Sequence, residues 1–314
     1  MSLPPPNYPQ LSVTETAGCR IELCRHAERA DRSTALWRRR FMGMAAFFIL
    51  IAATCPSAQA WGPQGHDLVT RWAFQTLPQP LRTFFESRSA QVLSHANDPA
   101  EWLIKDRYEK YRQYIYLDDY GRFPYLELPR DYQTAIHKYG SRHIAHDGTL
   151  PWQIGEFSLR LTNDMRAQNW NKALADAAAL GYYIADAHDP LNTTDNHDGQ
   201  LTGQTGLDRR FSDDLVSRYK NFILFRPVPA SKIDDPTEYA FQIVLEANSW
   251  VDRILLADRR ARDDLPAYNQ DYFDRFYTSL SSMARQELSG AAHDIGSYWY
   301  TAWLNAGEPP LPIH

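Results

Sequence analysis

The sequence predicts an all-α protein, a single multi-helix domain over residues 61–314. Two observations carry this. From residue 61 onward no stretch keeps the apolar–polar alternation of a half-buried strand, whereas many segments place apolar residues three and four apart. The segments between them are rich in Pro, Gly, Asn and Asp, residues that favour turns.

The first helix is expected over Leu68–Leu77. Pro78 and Pro80 stop it, because proline has no amide hydrogen and clashes with the preceding turn. Leu81–Leu93, Pro151–Arg166, Lys172–His188 and Arg209–Phe222 follow with the same spacing, and two long helices close the chain, about Thr237–Arg262 and about Gln270–Ala306. Arg259, Arg260 and Arg262 suit a helix C-terminus, where cations meet the negative end of the dipole. Asp118–Arg130 and Asp189–Leu207 read as loops, and no internal repeat or second domain is evident.

The composition excludes a disordered chain, a collagen-like chain and a small disulfide scaffold: 314 residues are 44% hydrophobic and 23% charged. Charge is unevenly placed. Of 33 Lys+Arg and 38 Asp+Glu, residues 1–60 hold seven Arg and four acids, which leaves the rest at net −8. Cys19, Cys24 and Cys55 also fall in that first stretch, so the body of the protein forms neither a disulfide nor a thiolate metal site.

Those first sixty residues read as an export address. Arg38-Arg39-Arg40, an apolar run from Phe41 to Thr54 and Ala58-Gln59-Ala60 are the basic, apolar and small-residue regions of a cleavable signal over residues 38–60. Arg38-Arg39-x-Phe41-Met42 also partly fits a twin-arginine signal, so the route stays open. Residues 1–37 look like neither signal nor domain and suggest an over-extended start. Cleavage after Ala60 makes Trp61 the mature N-terminus of an exported protein, periplasmic or secreted, with no transmembrane anchor; lipid attachment at Cys55 is the weaker alternative.

A free amine at Trp61 can chelate a metal together with its own carbonyl oxygen, because a cation deprotonates an amine of pKa near 8 with ease. His66 lies just past a glycine and can fold back to the same ion. Further chemistry-bearing segments are Ser94-His95-Ala96-Asn97-Asp98-Pro99 and the helix end Gly181–Asn192, where Tyr182 and Asp186 share a face at i, i+4.

On Trp61-Gly-Pro-Gln-Gly-His66, the D-x-x-x-P-L segment Asp186–Leu191, the loop beginning at Asp198 and the terminal Trp299-Tyr-Thr-Ala-Trp303, the chain resembles the zinc-dependent phospholipase C and single-strand-specific nuclease superfamily. The resemblance covers nearly all of residues 61–306. It implies the helical fold of the phospholipase C/nuclease type, export, a mature start at Trp, and three zinc ions on nine protein ligands.

Carried over position by position, one zinc falls to Trp61, His66 and the bridging Asp186, all retained. The neighbouring zinc needs Asp98 and Asp186, which match, and two histidines whose places hold Gln113 and Tyr182. The remaining zinc's places hold Asn192, Asp208 and Ser212. Five of nine ligands are changed. Amides and a serine hydroxyl are weak zinc ligands and tyrosine binds only as phenolate, so of the replacements only Asp208 is a good ligand in its own right. The surviving donors are oxygen-rich, which leans towards harder cations. The metal-site expectation is therefore Trp61, His66, Asp98, Asp186 and Asp208, with zinc at one site. Asp98 is the catalytic candidate that would orient or deprotonate an attacking water. Gln113 and Tyr182 are expected to hydrogen-bond one another in the emptied pocket.

The other histidines read as hydrogen-bonded or solvent-facing. His188 lies roughly opposite Asp186, His143 and His146 have no evident partner, and His95 caps a turn beside Asp98; His197, flanked by Asp195 and Asp198, sits in a loop that could reach the pocket. The resemblance implies a phosphodiester substrate, phospholipid or nucleotide, handled by a monomer. A net charge of −8 argues against a stable nucleic-acid complex unless bound metals supply the positive field. Three classes follow: a zinc phosphodiesterase, expected to be weak or inactive; a non-catalytic ligand-binding descendant; and a structural protein of the periplasm.

Overall fold

Gly62 and Pro63 open the first helix in a way that fixes what precedes it. The computed structural model describes residues 60–313; the extension expected over residues 1–37 and the signal expected over residues 38–60, except its last residue Ala60, lie outside them. Trp61 (φ 56°) and Gly62 (φ 56°) are both left-handed, and α1 runs Gly62–Thr76 with proline in its first turn. A Cβ on Gly62 would lie 2.6 Å from an Asp213 carboxylate oxygen, so this reversal needs glycine.

After the proline stop come α2 (Leu81–Ser87), α3 (Ser89–Ser94) and α4 (Asp98–Trp102). The expected Leu81–Leu93 helix is broken at Arg88, whose φ −116° and ψ 17° are not helical. Two short helices not read from the sequence, α5 (Tyr132–Tyr139) and α6 (Ser141–Asp147), are delimited by Gly140 and Gly148, both at positive φ. Then follow α7 (Leu150–Arg166) and α8 (Trp170–Ala187). The expected Arg209–Phe222 helix changes pitch along its length: a π-helix over Arg209–Leu215, α9 over Val216–Tyr219, and a 3-10 turn over Lys220–Phe222.

The helix expected from Thr237 to Arg262 divides at Ser249-Trp250 into α10 (Pro236–Asn248) and α11 (Val251–Arg262). Asp235 caps α10 by accepting from the Thr237 and Glu238 amides. The last helix, α12, runs Gln270–Asn305. Its 36 residues span roughly 54 Å at 1.5 Å per residue. No strand occurs among the described residues, and none of their helices is long and apolar enough to cross a membrane. The fold is all-α.

Helix α8 is the hub. Almost all of it from Ala173 to Ala187 is buried, and it packs on α1, α3, α7, α10 and α12. Small residues at 173, 177, 178, 179, 181, 185 and 187 let those neighbours approach. The Trp299 indole of α12 donates to the Ala177 carbonyl at 2.9 Å and stacks on Phe85, ring centroids 4.5 Å apart. At the end of α8, His188 is buried between Glu287 (3.1 Å) and Asp294 (2.9 Å) of α12. Burial alone would lower its pKa, but the bonds to Asp294 and Glu287 outweigh this and raise it to about 9. His188 is thus an imidazolium that ties α8 to α12, and Asp186, two residues earlier, faces elsewhere.

Candidate metal centre

The entry of the chain is held by an indole. Trp61 is 0% exposed, and its Nε1 donates to the carbonyl of Ala185 at 2.9 Å, one residue before Asp186. Phe211 packs against the ring at 5.4 Å. A buried indole N–H needs an acceptor, so a tryptophan here fixes the chain just before α1 against the C-terminal turn of α8. The Trp61 amide faces the Asp189 carboxylate.

His66, one turn into α1, is 1% exposed and stacks on Tyr182 with ring centroids 3.9 Å apart. Its Nε2 lies 3.5 Å from Oδ1 of Asp186, itself 1% exposed. Neither carboxylate oxygen of Asp186 nor the Tyr182 hydroxyl has a hydrogen-bond partner, and the Ala60 backbone is the one polar group besides Asp186 that approaches the His66 ring. Burial lowers the His66 pKa to about 3, the Ala60 backbone opposing it in part, so the ring is neutral. Burial, followed by the charges of Asp189, Glu109 and Asp208, pushes Asp186 well above the ordinary carboxylate range. The i, i+4 pair of α8 therefore does share a face, and that face meets His66.

Beside them is a cavity of about 190 Å³ lined by Gln113, Asp186, Asn192 and Asp208. These are four of the positions carried over from the resemblance. Lys110, Tyr116 and His197 also line it, with Ala60 at the end nearest Trp61. His197 stacks on Tyr116 (5.4 Å, 4° between planes), so the loop histidine does reach the pocket. Its Nδ1 is 3.1 Å from the Asp195 carbonyl.

Asp208 is raised to about 8 by burial and then by the charge of Asp189. Asp189 itself is raised to about 6 by burial, against the Ser212 hydroxyl and the Leu191 and Trp61 amides. Ser212 Oγ sits 2.6 Å from Asp189 and 3.1 Å from Asp208. A hydroxyl has one proton, which goes to the more acidic Asp189.

Asp98 stands apart from this group. Its carboxylate is 2.8 Å from His95 Nδ1 and 26% exposed, and it does not line the cavity. Gln113 and Tyr182 do not bond to each other as expected. Gln113 Nε2 donates to the Pro99 carbonyl at 3.1 Å, and the Tyr182 ring is occupied by its stack on His66.

His143 and His146 also have a partner that the spacing did not reveal, the buried Asp147 (3.1 and 2.9 Å). That cluster braces the cavity wall, since Tyr114 donates to the His146 carbonyl and the Tyr116 amide to that of Asp147. Asp189, Lys110 and Tyr116 were not singled out from sequence. The dense tyrosine run Tyr108–Tyr116 was the available signal.

The side chains of His66 and Asp186 fit a cation: a neutral imidazole facing a carboxylate that is buried without a partner, and the expected cleavage after Ala60 would add the Trp61 amine. At the other two positions the residues do not fit zinc. Gln113 and Asn192 offer amides, Tyr182 a phenol whose pKa burial raises further, and Ser212 is bound to Asp189. Among the described residues no group of three or more His, Cys, Asp or Glu side chains is arranged to hold a metal. No protein-family model matches the chain, and no curated protein matches it.

Proposed function

We propose that this is an exported protein of the zinc phosphodiesterase type that keeps one cation at Trp61, His66 and Asp186 and has weak or no diesterase turnover. The observation that supports it is the pair His66–Asp186: both Asp186 oxygens are buried without partners, and the neutral His66 ring facing them has only the Ala60 backbone beside it. Native interiors rarely leave such atoms unsatisfied, and a cation would satisfy them together. When bound, such an ion polarises a phosphoryl oxygen or lowers the pKa of a water.

The chain's own residues do the rest. Trp61 fixes the entry, His66 stays neutral and available as a ligand, and Tyr116 and His197 shape the rim. Turnover is reduced because the residues that would hold two further ions are changed, and because the Asp98 carboxylate is directed at His95.

Assays of the processed protein on a phospholipid and on a nucleotide diester test this reading. The expected outcome is little zinc-dependent turnover, rising together with zinc content when Gln113→His, Tyr182→His, Asn192→His, Asp208→His and Ser212→Glu are combined. Robust turnover by the unsubstituted protein would overturn it.

A further inference from the structure

The cavity side chains are not merely degraded zinc ligands. Gln113 commits its amide nitrogen to Pro99 (3.1 Å) and Glu109 (3.5 Å), and Asn192 commits its own to the carbonyls of Gln113 (3.1 Å) and Asp186 (3.2 Å). An amide has one donor end and one acceptor end, so these bonds orient both groups with the carbonyl oxygen left over. Asp208 is positioned by its own amide on Asp198 (3.3 Å), and one of its oxygens lies 3.1 Å from Ser212 Oγ, whose proton is held by Asp189. Both Asp186 oxygens are buried and unpartnered. All four residues line the same cavity. Lys110, the cation on that wall, lies over the Tyr111 ring at 4.6 Å.

We propose that Asp186, Asp208, Asn192 and Gln113 form a second cation site, one for a hard divalent ion of the magnesium, calcium or manganese class in place of zinc. Two carboxylates and two amide carbonyls are the donors such ions take, whereas zinc sites are built on imidazole and thiolate. Burial pushes both acids up, so a divalent ion would bind them with release of their protons and be matched by the two charges left. A volume of about 190 Å³ leaves room for several retained waters, each taking roughly 30 Å³. The site shares Asp186 with the Trp61 centre but uses neither His66 nor a free amine, so it is available to the full, uncleaved chain.

The test is manganese titration of the chelator-stripped full chain, read by electron paramagnetic resonance, with calcium, magnesium and zinc titrated by calorimetry to rank them. One saturable manganese site is expected, with calcium or magnesium competing for it. The isosteric Asp208→Asn should weaken manganese at least tenfold, and His66→Ala should leave it within about twofold. Gln113→His with Asn192→His should turn the preference towards zinc. Circular dichroism of each variant checks folding; if Asp208→Asn unfolds, Asn192→Leu takes its place. Absence of saturable manganese binding, or equal binding by wild type and a folded Asp208→Asn, would overturn the site. Loss in His66→Ala alone would place the ion at the Trp61 centre and overturn it equally. Loss of zinc from the Trp61 centre with manganese retained would count only against the reading of the previous section.

Discussion

His66 Nε2 and Asp186 Oδ1 face each other at 3.5 Å in a fully buried setting, and neither oxygen of Asp186 makes a hydrogen bond. They come from opposite parts of the domain, the first helix and the end of the hub helix. Trp61 brings them together by bonding its indole to Ala185. The left-handed entry at Trp61 and the burial of Asp186 are therefore one arrangement.

Export is expected to end with cleavage after Ala60. Ala60 lines the cavity and the Trp61 amide faces Asp189, whose charge acts on Asp186, so an amine freed there would face Asp189 beside the site. Amino-terminal sequencing of the exported protein should begin at Trp61. A different first residue would remove the amine from the ligand set.

His188 makes stability fall on the alkaline side. Its folded pKa, about 9, lies above the ordinary histidine value of 6.5, so its contribution is complete below pH 6.5 and is lost as pH rises through 9. The difference corresponds to on the order of 3 kcal/mol. Glu287 and Asp294 face the ring, and Tyr239 and His293 also approach Asp294. Urea unfolding between pH 6.5 and 9 should show the decline, and His188→Gln should flatten it. A variant with the wild-type slope would refute the assignment.

Gly296 sets how closely α12 crosses α1. A Cβ there would lie 1.9 Å from Thr76 Oγ1 and 3.4 Å from the Ala73 carbonyl. Gly296→Ala should cost about 1–3 kcal/mol, the usual range for overpacking. Gly296→Ala combined with Thr76→Ala should recover part of the loss in a thermal melt.

Much of this fold could be read from spacing alone. Pro151–Arg166, Lys172–His188 and Gln270–Ala306 agree with α7, α8 and α12 to within two residues at each end, because their apolar residues recur over four or more turns. The breaks at Arg88 and at Ser249-Trp250 carry no proline or glycine, so local sequence does not mark them. The short α5 and α6 were too brief for a periodic signal.

At the site, the pairing of Tyr182 with Asp186 on one helix face was legible, as was the nearness of His197. The direction of Asp98 was not, since the 2.8 Å contact with His95 is one of several that an i, i+3 pair allows. Nor was the role of Asp189, which depends on two elements, the Ser212 turn and the Trp61 entry, that meet it only in three dimensions.

The most direct test of the central claim is the zinc content of the processed protein after equilibration with zinc and removal of loosely bound metal, compared with that of His66→Ala. One zinc per wild-type chain and none in a folded His66→Ala is the predicted result. Three zinc ions per chain, none at all, or one that survives the loss of His66 would contradict it.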